Sequence, residues 1–540
     1  MPTGPEQTHV VLEGSRRRML PGARLLGRAD AQEKMDVTVK VRRMKDLPEL
    51  AGRPERAMTH AELAAGYGAS PADLELTRAV LGRFGLAVAQ SSPAARSIRF
   101  TGTVAQMENA FQVRLFTYAH ESGNHRGRVG DIQVPRELGP IVQGVFGLDN
   151  RRVVRRRRQP VDERNRRSSP SSVPTSWYTP AALAAHYDFP SGDGSGQVVG
   201  ILEFGGGYFE QDLRQFCGLT RTGVPTVRPV SVDGTPTNAR DGAEGEVMLD
   251  VEVVAGACPG STIVLYFAAW SEQGWIAALD AAIHDTGNSP GVLSASWGYA
   301  EDADIWSAAA MTQVNQSLKD AAYLGITVCV AAGDDGSSDA VEDGHAHVDF
   351  PASSPYVLSV GGTTITSRDG KLVDVAWKEG DGLRADSGGS TGGGVSAVFP
   401  RPDWQRSIPI VSVNPGSIAG RVVPDLAANA DWNASPYLLV VDGSAQPNGG
   451  TSAAAPLVAA LVTLINADRN GRRLGYVTPL LYQPASPGGP PAPAGSAGCT
   501  DVTTGDNVTD KLGGYSAGTG FDAVSGWGVP DGKKLMAVLP

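Results

Sequence analysis

Gly449-Gly-Thr-Ser-Ala-Ala-Ala-Pro456 runs straight into Leu457-Val-Ala-Ala-Leu-Val-Thr-Leu-Ile465, and Tyr437-Leu-Leu-Val-Val-Asp442 lies just before it. An apolar strand, two glycines and a longer apolar run predict a loop that turns into a buried helix, with Ser452 at the turn. The first N–H groups of a helix have no intrahelical acceptor and sit at the positive end of its dipole. A hydroxyl there is placed to attack a carbonyl while those donors receive the developing oxyanion. Paired glycines let another backbone come close. A Ser or Thr that merely caps a core helix fits the same octapeptide.

At 540 residues the chain exceeds one ordinary domain, and charge shows where it divides. Residues 1–172 hold 29 Lys+Arg against 18 Asp+Glu, and residues 173–540 hold 18 against 39. A basic module joined to an acidic one implies mutual attraction. Hydrophobic content of 41% with 67 glycines and 37 prolines fits a loop-rich α/β protein rather than a disordered one. Cys217, Cys258, Cys329 and Cys499 are too scattered for a disulfide framework or a Cys-x-x-Cys metal site. No secretory signal is legible after Met1, and the longest apolar run, Ala453 to Ile465, is too short to span a bilayer.

In the basic module, residues 36–45 alternate as a strand, and Thr59 to Ala65 and Pro71 to Phe84 read as capped helices. Leu86 to Gln90, Ser97 to Gly102 and Val113 to Ala119 read as strands around a helix at Val104 to Phe111. That β-α-β-β-α-β order predicts a ferredoxin-like domain over residues 1–150. Arg151-Arg-Val-Val-Arg-Arg-Arg-Arg158 and the polar residues to Ser172 form a basic linker. Without interleaved aromatic residues, and next to an acidic domain, it reads as a protease-sensitive connection rather than a nucleic-acid patch.

From residue 173, apolar runs such as Val198 to Phe204, Thr262 to Ala268, Val292 to Trp297, Ile326 to Ala332 and Tyr356 to Gly361 alternate with helices. The helices are predicted over Gly245 to Ala257, Gly274 to His284 and Ile305 to Leu324. Strands apolar on both faces and separated by helices predict a covered parallel sheet, with ligands at its carboxyl end. Ser387-Gly-Gly-Ser-Thr-Gly-Gly-Gly394 lacks phosphate-loop spacing and reads as a groove wall. Pro484 to Gly495 reads as a surface loop.

A serine nucleophile needs a base. None of the eight histidines lies in a His-Gly-Thr-His or comparable setting. Glu246 and Asp250 stand at i and i+4 on an otherwise apolar helix, close enough to push their pKa values apart, so that one serves as base at acidic pH. Asp334 follows Val328-Cys-Val-Ala-Ala-Gly333 at a strand end, where a protonated acid could donate to an oxyanion. Taken singly, a solvated acidic face and a Gly-Asp-Asp-Gly turn explain these residues as well.

Together they carry a resemblance. Gly-Gly-Thr-Ser-Ala at 449–453, Gly-Glu-Val-Met-Leu-Asp at 245–250, Ser-Ala-Ser-Trp-Gly at 294–298, Ala-Ala-Gly-Asp at 331–334 and Leu-Glu-Phe-Gly-Gly-Gly-Tyr at 202–208 occur in an order that resembles the sedolisins. The chain looks most like the kumamolisin-type branch of these serine-carboxyl peptidases. The resemblance implies a subtilisin-like catalytic domain over 173–540 and an acid-acting endopeptidase made as a proenzyme. It implies Ser452 as nucleophile, Glu246 as base, Asp250 as the acid that tunes it and Asp334 as the oxyanion acid. Glu203 and Trp297 match an outer hydrogen-bonding shell, and Asp349 matches a substrate-pocket acid. Where the family often reads Gly-Asp-Ser-Gly, this chain places Asp335 after Asp334. The resemblance further implies one calcium ion held by Asp501 and Asp522 side chains and by the carbonyls of Val502, Gly518 and Gly520. It implies that the basic propeptide inhibits the enzyme and assists its folding, that substrates are proteins or peptides, and that the protein is secreted; neither nucleic acid nor membrane is an expected partner. Two readings stay open: a subtilisin-type protease with a histidine base, and an inactive binding protein on this fold.

Overall fold

The computed structural model describes residues 8–154, 173–174, 176–302, 304–384, 388–485, 492–509 and 512–540, with the backbone of 167–168. The acidic part is built on one eight-stranded sheet. Its order is Thr226–Ser231, Thr262–Ala268, Val198–Phe204, Val292–Ala295, Thr327–Ala331, Leu358–Arg368 and Lys371–Ala376, with Leu426–Asn429 also pairing to Leu358–Arg368. Every pairing is parallel except the closing hairpin of Leu358–Arg368 with Lys371–Ala376. Leu358–Arg368 outruns its predicted end at Gly361 because its second half leaves the buried sheet and pairs with this edge strand.

Alternation along each strand divides the core in two. Val199, Ile201, Ile263, Leu265 and Phe267 face one side, together with the helices Glu244–Ala257 and Thr451–Asp468. Leu202, Phe204, Val264 and Tyr266 face the other, with the helices Glu272–Ile283 and Ala308–Tyr323. Ser271 and Ser307 cap those last two helices by accepting from the N–H of Gly274 and Ala310. The serine-bearing helix Thr451–Asp468 is apolar on all sides and 18 residues long, enough to cross a membrane. Since 89% of it is buried inside the protein, it is the central core helix.

The basic part forms an antiparallel sheet in the order Ala87–Ser92, Ser97–Thr103, Lys34–Val41, Val142–Phe146, with helices Pro71–Gly82 and Val104–Phe111. This is the ferredoxin-like arrangement, with one correction. The expected last strand near Val113 to Ala119 exists as Phe116–Ala119, but it pairs with Arg24–Arg28 and His125–Gly127 in a separate small sheet. Val142–Phe146 closes the main sheet instead. Val142, Val145 and Phe146 are buried there, whereas Phe116–Ala119 is mostly half-exposed, so burial decides between two strand-like runs.

This module docks on the outer faces of Glu272–Ile283 and Ala308–Tyr323. Arg17 meets Glu272 at 2.6 Å, Lys40 meets Asp280 at 2.9 Å and Arg43 meets Asp320 at 2.6 Å, with all six side chains largely shielded from water. The opposite charges of the two parts thus meet as specific buried pairs. Most of the arginine-rich linker, including Arg155 to Arg158, lies outside the described residues, as does Ser387.

Candidate active site

Three elements converge on Ser452. The strand Tyr437–Val441 and its hairpin partner Ser444–Asn448 lead into Gly449 and Gly450, and Gly450 adopts φ 94° before the helix begins at Thr451. Ser452 is therefore in the first helical turn and is fully buried. Its Oγ lies 3.4 Å from the carbonyl oxygen of Ser296, to which it donates.

The helix Glu244–Ala257 packs along the serine helix and carries Glu246 and Asp250 on buried positions. Glu203, at the end of Val198–Phe204, is buried as well. The Trp297 Nε1–H donates to Glu203 Oε2 at 3.2 Å. Ser296 Oγ lies 2.8 Å from Asp250 Oδ1 and 3.1 Å from the carbonyl oxygen of Ser452, tying the acidic helix to the serine helix. Burial, followed by the charge of Glu246, pushes the Glu203 carboxyl well above the usual carboxylate range. Burial, then the charges of Glu203 and Glu246, does the same to Asp250, and its hydrogen bond with Ser296 offsets only part of it. These three carboxyl groups cannot all be ionised together; protons distribute over the set rather than belonging to one residue.

On the other side, Asp334 ends the turn after Thr327–Ala331. Its Oδ1 accepts from the Thr451 N–H at 2.8 Å and from Thr451 Oγ1 at 2.7 Å, so it is fixed beside the residue preceding Ser452. Asp335 turns the other way: Oδ1 accepts from the backbone N–H of Arg384 and Oδ2 from Arg384 Nε, each at 2.9 Å. Asp349 is buried on the short strand Asp349–Phe350, which pairs with Tyr299–Ala300.

Among the described residues, no histidine ring hydrogen-bonds the Ser452 hydroxyl. His186 pairs with Asp374, His347 lies between Asp302 and Asp343, and His60 meets the carbonyl of Ile283. Sequence reasoning missed Ser296, Thr451 and Arg384 as parts of this constellation. Ser296 and Thr451 lie inside motifs singled out for other residues; nothing marked Arg384.

Away from this centre, Asp501 and Asp522 reach one turn. Asp501 Oδ2 accepts from Gly520 N–H at 2.8 Å and Asp522 Oδ2 from Gly518 N–H at 2.9 Å. Val502 is buried beside them. Burial raises the Asp522 carboxyl despite backbone donors from Ser525, Gly518 and Val524.

The family model for the Pro-kumamolisin activation domain matches residues 21–151, and the Subtilase family model matches residues 235–484. Kumamolisin of Bacillus sp. (strain MN-32) is 40% identical over 99% of this chain and 97% of its own length. Sedolisin of Pseudomonas sp. (strain 101) is 29% identical over 93% of the chain and 86% of its length. Tripeptidyl-peptidase 1 of Homo sapiens is 30% identical over 75% and 72%. Among solved structures, Pseudomonas sedolisin, a serine-carboxyl proteinase complexed with pseudo-iodotyrostatin, aligns with 97% of its chain and 67% of this one, at a TM-score of 0.56 and 26% identity. A serine at a helix start, flanked by buried carboxyl groups instead of a histidine and preceded by an activation domain, therefore places this chain in the sedolisin family of serine-carboxyl peptidases, on its kumamolisin side.

Proposed function

We propose that the protein is an acid-acting endopeptidase that cleaves protein or peptide chains through an acyl-enzyme on Ser452. The observation that carries this reading is the linkage of Asp250 through Ser296 to Ser452, with no imidazole among the described residues bonded to the serine hydroxyl. As Ser452 Oγ attacks the carbonyl carbon, its proton passes to Glu246. Glu246 then returns it to the leaving amine, and the same proton path runs in reverse with water for deacylation. Burial and neighbouring charge raise Asp250 and Glu203, so in the reactive arrangement of the shared protons Glu246 carries the negative charge of the set. Asp334, when protonated, donates to the oxyanion together with the N–H of Ser452. Asp349 contributes an acid to the wall of the substrate cleft.

Residues 151–172 join an activation segment (residues 1–150) to the peptidase domain (173–540). The backbone of Arg167 and Ser168 adds a strand to Ser444–Asn448, the strand that feeds the serine loop. The activation segment inhibits the peptidase domain until this connection is cut. The Asp501–Asp522 turn suits calcium in its chemistry: two carboxylates meet on the 518–520 segment, and carboxylate oxygens are hard donors. A bound ion there would tie the 501–502 segment to the 518–522 turn. Secretion is part of the same reading and rests on kinship alone.

Proteolysis of an unfolded protein across pH 2–8 by wild type and Glu246→Ala tests the mechanism. Activity confined to acidic pH and abolished by Glu246→Ala supports a carboxylate base. Activity that survives in Glu246→Ala and vanishes below about pH 6 points to a histidine base. Labelling by a peptide aldehyde that persists in Ser452→Ala would overturn the assigned nucleophile.

A further inference from the structure

We propose that Arg384 and Asp335 form a compensating charge pair that sets the pH at which Asp334 gives up its proton, and thereby the alkaline limit of the peptidase. This rests on the reading of Asp334 as the oxyanion acid. Two adjacent buried carboxylates at residues 334 and 335 would each disfavour the other's ionisation. Arg384 removes that effect by geometry. Its Nε donates to Asp335 Oδ2, Nη2 donates to the same oxygen, and its backbone N–H donates to Oδ1. Asp335 is thereby fixed to Arg384, while the Oδ1 of Asp334 is taken by both groups of Thr451 and its carbonyl accepts from Ser390 N–H at 3.0 Å.

The charges around Asp334 come from several elements. Asp335 and Asp339 lie on its own connection, and Arg384 comes from the segment after Lys378–Glu379. Glu379 is raised by burial and by its neighbour Asp431, and Lys378 is engaged by Asp506. Beyond the start of the serine helix stand Glu203, Glu246 and Asp250. Arg384 is the cation within reach among these described groups. Burial opposes its charge, yet Asp335, Asp334 and Asp339 together hold it more firmly protonated than an ordinary arginine. That coupling is reciprocal, so the guanidinium favours the ionised form of Asp334 while Asp335 disfavours it.

Asp335 and Arg384 are positioning residues, and their test is the sign of a shift. The mature enzyme is assayed for kcat/KM on a quenched peptide from pH 3 to 8. Arg384→Gln removes the positive charge that offsets Asp335 and moves the alkaline limb up by about one pH unit, whereas Asp335→Asn removes the negative charge that offsets Arg384 and moves it down by about as much. The double variant returns to the wild-type limb. Where Arg384→Gln does not mature, Arg384→Lys stands in: it keeps the charge, so its limb stays with the wild type while that of Asp335→Asn falls. Limbs that shift in the same direction, or a limb of Asp335→Asn that does not move, overturn the inference provided Ser452→Ala and Glu246→Ala are inactive, and leave the reading of the site standing. Activity surviving in either of those two variants overturns the reading itself, and the inference with it.

Discussion

Pro456 has no N–H, so the carbonyl four residues before it, that of Ser452, lacks an intrahelical donor. Ser296 Oγ occupies that place at 3.1 Å and also lies 2.8 Å from Asp250. A hydroxyl has one proton to donate. Both contacts are satisfied at once when Asp250 keeps its own proton, donates to Ser296 Oγ, and Ser296 donates to the Ser452 carbonyl. Burial and the charges of Glu203 and Glu246 push Asp250 in this same direction. Ser296→Ala leaves a buried carbonyl and a buried carboxyl without this partner, a cost of about 1–3 kcal/mol in stability. We expect kcat to fall at least about 10-fold with KM little changed, because the loss is at the reacting centre. Adding Pro456→Ala supplies an N–H to the Ser452 carbonyl. The double variant then regains melting temperature but not kcat; recovery of both would show that Ser296 serves the helix alone.

At the scale of elements, the turn into the serine helix depends on close backbone approach. A Cβ on Gly449 would stand 2.4 Å from the carbonyl oxygen of Ala430 and 2.9 Å from the N–H nitrogen of Trp432. Gly449→Ala must therefore displace the 430–432 segment or the turn itself. The expected result is a loss of stability of about 1–3 kcal/mol and of kcat by about 100-fold from misplacement of Ser452, read by thermal unfolding and peptide hydrolysis. The loop before Asp349 is held by His347, whose two ring nitrogens meet Asp302 and Asp343. Burial would lower its pKa, but the two carboxylates outweigh this and raise it to about 9. A raised histidine contributes stability that is full below its ordinary value and lost as pH rises through about 9. The clamp is thus charged at acidic working pH, and Asp343, for which burial is outweighed by His347, stays ionised below the usual range. Limited proteolysis of residues 339–346 checks this: His347→Asn is cut readily at pH 5, whereas wild type becomes equally sensitive only above about pH 9.

The whole molecule is tuned to acid by its buried carboxyl groups. Burial raises Glu203, Asp250 and Glu252 well above the usual range, Glu301 to about 7 and Glu379, helped by Asp431, to about 8. The folded state binds more protons than the unfolded chain between ordinary carboxylate values and about pH 8, so stability falls as pH rises through that window. The Ser452→Ala precursor is expected to melt at a higher temperature at pH 4.5 than at pH 8; a flat or opposite dependence contradicts it. The activation segment has its own acid anchor. Burial alone would raise Asp149, but Arg151 and Arg17 hold it at about 2, a contribution present above the ordinary range and lost only as pH falls towards that value. Its hold on the peptidase depends on pairs such as Arg43–Asp320, buried on both sides. Asp320→Asn strands Arg43 and is expected to weaken inhibition by the propeptide supplied in trans by at least about 100-fold. Chelation tests the calcium reading: EDTA lowers the melting temperature of the precursor and added Ca²⁺ restores it, and Asp522→Asn abolishes the response.

Much of this was legible because burial writes a period into a chain. Apolar strands separated by helices announced the covered parallel sheet, Gly449-Gly-Thr-Ser ahead of an apolar run announced a hydroxyl at a helix start, and the four-residue spacing of Glu246 and Asp250 put both on one helical face. Period reports which face of an element is covered, not what covers it. Ser296 meets Asp250 across 46 residues, Arg384 meets Asp335 across 49 and Thr451 meets Asp334 across 117. The choice of Val142–Phe146 over Phe116–Ala119 as closing strand likewise depended on which run found a buried neighbour. Elements and the chemical nature of their residues follow from local pattern; partners follow from packing, which brings together groups that stand far apart in the chain.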